Sequence, residues 1–522
     1  MTAIVSCDGN SIIPISLGFG DYAVALPSFA TTEDTSLTFS QDVSLGPNAY
    51  TVTKGTAATL LEAQVYSLET TFRLGVFNLQ QVLLSEFWLM KSSDMTAIFL
   101  TSDDPVSHGR KWVESSSDYS NSAKGNAAVV AADGSSIYEG KLSQIKGRGN
   151  TSWDLEKPYQ IKLDKKADLV QTSSSNNKSK TWLLISDGYD SSALRNVVAY
   201  SYAQLLGVSK AIDFDIVDLY YDGEYRGTYL LCEKVQIAKG RVDIEDLEEK
   251  NEDLNPDIDE AQVVEGVNSY GMEIRYAQNV QNPNNITGGY LIEHEVDSHR
   301  YSAESAYFAV MIGDNCQHFV CKSPEIWSYE EANYMSCLIQ DIFDAASNNG
   351  IVPTWRGSSR AGMKLTDLID VYSFVRIYWV NEILKNPDGY VFSSGYLFKD
   401  SDNNDCSKVA FGPAWDFDLA CGNTVNKSMS NPVLESSGWY TRNSILISAL
   451  LKTESVNDAI SELKASAIST LYSFLNDGSL DTIASKATSS LKLNELVWGG
   501  KNESCTSVRN WLNDRLEWMK GA

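Results

Sequence analysis

The spacing of apolar residues changes character along the chain. Residues 1 to about 90 alternate polar and apolar positions over short stretches, as in Tyr50 to Val52 and Ala63 to Tyr66, with turns at Asp8-Gly9-Asn10 and Gly46-Pro47-Asn48. A period of two predicts a small all-β domain, sandwich-like, over residues 1–93. From Met95 the strands lengthen, with Thr96 to Thr101, Ala127 to Ala132, Gly140 to Lys146 and Tyr159 to Leu163 separated by glycine and aspartate turns, and they predict an antiparallel sheet. The period then becomes helical: Leu194, Val197, Val198, Tyr202, Leu205 and Leu206 share one face, between a cap at Asp190 or Ser191 and a stop at Gly207. Asp215 to Tyr221 and Tyr225 to Val235 flank Asp222-Gly223, a hairpin signal because a type I′ turn needs positive φ. These elements form a β-rich unit over residues 94–240.

Residues 241–287 break the pattern. Ten of the eighteen residues from Asp243 to Glu260 are acidic and an Asn-rich stretch follows, so a solvated, mobile insertion is expected, without the glycine and terminal glutamate of a calcium loop. Gly288 to Glu293 returns to strand, and the rest of 288–522 reads as mainly helical. The helix Asp367 to Lys385 begins after Thr366, stops before Asn386-Pro387 and is apolar on nearly every side, so it belongs inside its domain. Further helices are expected within 446–451, 459–475, 491–498 and 508–519, the last carrying Val508, Trp511, Leu512, Arg515, Leu516 and Met519 on its spacing.

With 522 residues, 43% of them hydrophobic and 21% charged, the chain can bury several cores. Lys and Arg number 42 against 68 Asp and Glu, and the net charge of −26 argues against nucleic acid as a partner while leaving room for a local basic pocket. No apolar run is long enough to span a membrane. No leader-like segment follows Met1, so a signal peptide is expected to be absent or removed. The eight Cys lack any C-x-x-C pair and there are four His, which argues against structural zinc; Cys316 and Cys321 are near enough to bridge, although free buried thiols are the commoner arrangement.

Two carboxylate groups stand at the ends of expected elements. Asn386-Pro387-Asp388-Gly389 follows the buried helix, and Trp415-Asp416-Phe417-Asp418 follows Gly412-Pro413; strand-like residues 395–398 and 407–411 between them form one hairpin that can bring the two together. Paired aspartates suit Mg²⁺, a hard cation that takes one or two carboxylates with substrate phosphates. The same residues also suit a turn and a helix cap. The opposite charge is available at Lys146-Gly147-Arg148-Gly149-Asn150-Thr151-Ser152-Trp153 and in Lys157-Pro158-Tyr159-Gln160-Ile161-Lys162, where glycines let backbone N–H groups approach a phosphate and Arg offers a planar fork. Lysines at strand ends are equally at home in solvent.

Taken in order, K-G-R-G-N-T-S-W, K-P-Y-Q-I-K-L, D-x-S-x-L-R-N at Asp190 to Asn196, D-L-Y-Y-D-G-E-Y-R-G-T-Y-L-L-C-E-K-V, G-G-Y-L-I-E, N-P-D-G and G-P-A-W-D-F-D-L-A resemble the CotH family of atypical, spore-coat-type protein kinases over roughly residues 94–425. The resemblance implies an α+β, atypical kinase-like two-lobed fold: a small β-rich lobe and a larger helical lobe behind the all-β domain. It implies ATP, Mg²⁺ or Mn²⁺, and transfer of the γ-phosphoryl group to Ser/Thr hydroxyls of secreted, cell-surface or coat proteins. On this mapping Lys162, or Lys157, looks like the lysine that pairs with ATP phosphates; Arg148, Gly147 and Gly149 would lie over the phosphates; and Arg195 and Glu233 would stand near the nucleotide. Asp388 resembles the catalytic-loop aspartate, as proton acceptor or metal ligand, Asp416 the metal-binding aspartate, and Asp418 a second metal candidate. The usual H-R-D, D-F-G and A-P-E are absent, as is an evident Glu partner for the strand lysine. A binding scaffold with weak activity and a kinase acting on a small molecule or glycan are the alternative readings.

Overall fold

The computed structural model describes residues 3–18, 21–31, 35–39, 43–45, 50–52, 57–59, 65–74, 77–149, 153, 155–170, 178–404, 407–425, 427–428, 430–499 and 503–522. The turn expected at Gly46-Pro47-Asn48 and the start of the stretch from Ala63 lie outside them. The described residues form a mixed α+β chain with several sheets and eleven α-helices. None of those helices is long and apolar enough to cross a membrane. The chain divides into two compact units, one of 1–193, 214–234 and 481–504, the other of 194–213, 235–480 and 505–522.

In the first unit the strands from Thr96 close into a seven-stranded barrel instead of an open antiparallel sheet. Its order is Thr96–Ser102, Ser122–Val130, Ser136–Gly147, Tyr159–Ala167, Ser179–Ser186, Glu224–Glu233, Phe214–Tyr221. Closure comes from a single parallel pairing, Thr96–Ser102 with Phe214–Tyr221, because the chain leaves the barrel after Ser186 and re-enters beside its first strand. Alternate residues fill the interior: Ile98, Leu100, Val129, Leu142, Ile161, Leu163, Trp182, Leu219 and Leu231 are buried in one cluster. Asp222 and Gly223 both have positive φ (49° and 82°), as the hairpin signal required.

The N-terminal strands form a four-stranded and a six-stranded sheet. Cys7, Ile12, Val24 and Leu26 share a hydrophobic cluster with Phe99 and Tyr220 on the barrel's outer face and with Leu493. Residues 481–504, expected in a C-terminal helical subdomain, belong to this unit for that reason. Asn494 accepts a hydrogen bond from Thr228 N at 3.1 Å, and Trp498 Nε1 donates to Arg226 O.

Asp218 is fully buried there, its carboxylate accepting from Tyr225 Oη (2.8 Å) and Ser490 Oγ (3.1 Å). Burial pushes it up to about 6 from an ordinary 3.8, against those hydrogen bonds. The folded barrel therefore keeps a proton that the unfolded chain loses between these values. The contribution is present below pH 4 and is lost as pH rises to about 6, by up to about 3 kcal/mol. Asp218→Asn is expected to match wild type at pH 4 and to exceed it at pH 7, read as the difference in urea midpoints at the two pH values.

Residues 288–522 are mainly helical as expected, and the second unit also carries a sheet with more strands than the sequence pattern indicated. Its seven-stranded antiparallel sheet runs Val263–Val267, Glu273–Ala277, Tyr307–Ile312, Asn315–Ser323, Tyr290–His294, Gly395–Lys399, Val409–Phe411. Tyr307–Ile312 is a continuous apolar run, which period alone does not distinguish from helix. The acidic stretch is ordered: Asp246 caps the helix Leu247–Leu254, Leu247 is buried, and Asn251 donates to Glu331 Oε2 at 3.0 Å while the remaining acidic side chains face outward or sit half-buried. The expected helix from Asp367 is split. Leu365–Leu368 precedes Val371–Leu384, whose cap is Asp370, accepting from Tyr372 N and Ser373 N at 3.1 Å. The helix Arg195–Leu206 starts later than expected and carries no side-chain cap; Gly207 ends it at φ 73°. Cys316 and Cys321 lie on one strand, one exposed and one buried, and both are free thiols.

Candidate functional site

The helix Val371–Leu384 is buried from Ile377 to its end, so its C-terminal end is a fixed point. Lys385 follows in the left-handed region (φ 47°), and the chain turns through Asn386, whose Oδ1 accepts from Asp388 N at 3.2 Å and whose Nδ2 donates to Asn381 Oδ1 at 3.1 Å. The Asp388 carbonyl then accepts from the N–H groups of Val391 and Phe392 (both 2.9 Å) and Ser393 (3.2 Å). Gly389 is required by space: a Cβ there would stand 2.0 Å from Asn381 Oδ1.

The strands Gly395–Lys399 and Val409–Phe411 pair antiparallel and return the chain to this turn. Asp416 follows with φ 64°, a conformation costly for a side chain with a Cβ and kept where the surroundings impose it. Here hydrogen bonds to the loop on either side of it do so. Ser394 Oγ donates to Asp416 Oδ2 at 3.1 Å, and Asn196 Oδ1 accepts from Phe417 N at 2.8 Å. Arg195 Nε donates to Ala420 O at 3.0 Å, and Cys421 N to Leu384 O at 2.8 Å.

The result is a cluster of three half-buried carboxylates, Asp388, Asp416 and Asp418, with one oxygen of each within 4.8 Å of the others. Burial, and then the charge of Asp416, push Asp388 up to about 7; Arg300 opposes this and Glu295 adds to it. Glu293, on the strand Tyr290–His294, is likewise pushed up to about 7 by burial, partly offset by Lys322, with smaller contributions from Glu295, Glu304 and Asp416. Three half-buried carboxylates gathered in this way, one of them holding its proton more tightly because of burial and its neighbour's charge, are the type of donor set that a hard divalent cation takes.

The other residues expected at the site divide between the units. Arg195 is buried in the first turn of its helix, on the loop that carries Asp416 and Asp418. Lys162 lies in the barrel strand Tyr159–Ala167, exposed between inward-facing Ile161 and Leu163. Lys157 Nζ donates to Trp153 O and stands 4.7 Å from the centre of the Trp153 ring. Gly147 lies directly under that ring, where a Cβ would come within 2.4 Å of it, so here the glycine serves packing. Arg148 N donates to Pro158 O at 3.2 Å, Gly149 has φ 92°, and Asn150, Thr151 and Ser152 are outside the described residues. Glu233 is buried at the end of its strand, opposite Trp182. Sequence reasoning singled out neither Ser394 nor Glu293. The latter closes G-G-Y-L-I-E, where a glutamate ending an apolar strand was the available signal.

A comparison with curated proteins finds no match. The family model described as CotH kinase protein matches residues 145–293 and 338–519, which take in the barrel strands from Tyr159–Ala167 onward and the whole carboxylate cluster. Over that extent the chain belongs to the CotH kinase protein family.

Proposed function

We propose that the protein is an ATP-dependent phosphotransferase that moves the γ-phosphoryl group to Ser/Thr hydroxyls of secreted, surface or coat proteins, with Mg²⁺ held by Asp416, Asp418 and Asp388. The observation that carries this reading is the convergence of the three carboxylates on one point in a chain of a kinase family. A bound Mg²⁺ would neutralise charge on the nucleotide phosphates. The chain's own part is positioning. Ser394 and Asn196 fix the Asp416 loop, and the Asp388 turn carries a carboxylate whose burial, and then the charge of Asp416, raise its affinity for a proton, as an acceptor of the substrate hydroxyl's proton requires. On the same reading Lys162, or Lys157, pairs with ATP phosphates, Arg148 with Gly147 and Gly149 lies over them, and Arg195 and Glu233 serve the nucleotide.

Thermal unfolding tests this. ATP with Mg²⁺ at a hundred times its Kd is expected to add about 2.7 kcal/mol of stability, and ATP with EDTA far less. Absence of any shift at millimolar ATP would leave a binding scaffold as the better account. Asp388→Asn is expected to retain the shift while losing turnover, since an amide still offers an oxygen but takes up no proton.

A further inference from the structure

Lysine at the end of a helix ordinarily reaches into solvent. Lys385 does the opposite. It is 1% exposed, and its ammonium donates to three main-chain carbonyls, Pro432 O (2.8 Å), Glu435 O (2.7 Å) and Ser437 O. All three of its protons are thereby used on one irregular segment, which follows the Asp416–Asp418 loop in the chain. The same segment is held by two further groups. Arg515 donates to Ser436 O (3.0 Å) and Gly438 O (2.6 Å), and Glu382 accepts from Tyr440 N (2.8 Å) and Arg442 N (2.7 Å). Arg515 and Glu382 are themselves a fully buried ion pair at 2.9 Å. Trp511 Nε1 adds a bond to Leu434 O at 2.9 Å.

Irregular backbone inside a protein needs a partner for each polar group, and here side chains of the Val371–Leu384 helix, its cap and the Cys505–Gly521 helix supply them. The held segment is tied to the end of the Val371–Leu384 helix, from which the Asp388 turn departs. Lys385 precedes Asp388 by three residues, so one side chain links the Asp388 turn to the segment next to it. In protein kinases the segment after the metal-binding loop is commonly ordered by a phosphate meeting arginines. In this chain buried cations already in the fold meet carbonyls instead.

Resting on the phosphotransferase reading above, we propose that Lys385 is a positioning residue of the site, which with Glu382 and Arg515 holds residues 432–442 in their working arrangement without an activating phosphorylation.

The test uses the full chain and reads ADP release from ATP together with Mn²⁺ affinity. Phosphatase-treated wild type is expected to keep its turnover within twofold. Lys385→Met is expected to lose about a hundredfold in kcat with Mn²⁺ affinity within twofold of wild type. Lys385→Ala is expected to regain at least tenfold on addition of n-propylammonium but not tetramethylammonium, which has no proton to donate. Loss of wild-type turnover on phosphatase treatment, unchanged kcat in Lys385→Met, or equal responses to the two ammonium ions would overturn the proposal. Should Lys385→Met fail to fold, the wild-type phosphatase arm and the ammonium arm decide alone. Wild type that neither binds Mn²⁺ nor turns over ATP overturns the phosphotransferase reading and this inference with it, whereas active wild type with active Lys385→Met overturns this inference only.

Discussion

Asp416→Asn is expected to lower ATP turnover by about a thousandfold and to leave the fold intact. The size follows from the proposed role: phosphoryl transfer depends on positioning and charge neutralisation, and removing one preorganised electrostatic group from such a site costs about 10² to 10³ in rate, with loss of a direct metal ligand at the upper end. Retention of the fold follows from the surroundings. The loop is held from outside by Asn196, Arg195 and Ser394, and asparagine tolerates the left-handed backbone at this position better than other side chains. Removing one carboxylate charge should also relax Asp388, whose proton is held partly by Asp416, so its protonation should move toward lower pH in the variant. Turnover against pH in wild type and Asp416→Asn, with circular dichroism as the control for folding, checks both expectations.

The largest expected effect on stability is at Arg515. Its guanidinium and the Glu382 carboxylate are both wholly buried, and together they satisfy backbone groups of two elements: Arg515 donates to Ile383 O, Glu382 O, Ser436 O and Gly438 O. Arg515→Met leaves the Glu382 charge without its cation and strands those carbonyls, which should cost about 3 to 5 kcal/mol. In a thermal melt that is a fall in Tm of about 5 to 8 °C. The double variant Arg515→Met with Glu382→Gln should recover part of the loss, since the uncompensated charge is gone while the carbonyls remain unsatisfied. Melts of the two single variants and the double variant give the coupling directly.

What was legible in the sequence follows its local chemistry. Asp222-Gly223 fixed a hairpin because positive φ at two residues leaves few choices, and Asn386-Pro387 marked the end of a helix because proline stops one. The two carboxylate motifs could be placed together since the separation of 28 positions from Asp388 to Asp416 suits one hairpin. Barrel closure was not legible. The pairing that closes it joins Thr96–Ser102 to strands more than a hundred residues later, and alternation looks the same in an open sheet. The acidic run from Asp243 gave the wrong expectation for a similar reason: composition reports the exposed charges, while order there rests on Leu247 and on the Asn251 bond to Glu331, eighty residues away. Lys385 is the clearest case. Nothing local distinguishes it from a solvated lysine, because its three acceptors are 47 to 52 residues further on.

The account stands on the claim that Asp388, Asp416 and Asp418 together hold a divalent cation that serves a nucleotide. Titration of Mn²⁺ into the full chain with and without ATP, followed by electron paramagnetic resonance, tests that most directly. The account predicts at least one Mn²⁺ site per chain, tightened by ATP and weakened at least tenfold in Asp416→Asn, with Asp218→Asn indistinguishable from wild type. Mn²⁺ affinity that is unaffected by ATP, or that is the same in Asp416→Asn as in wild type, would contradict it.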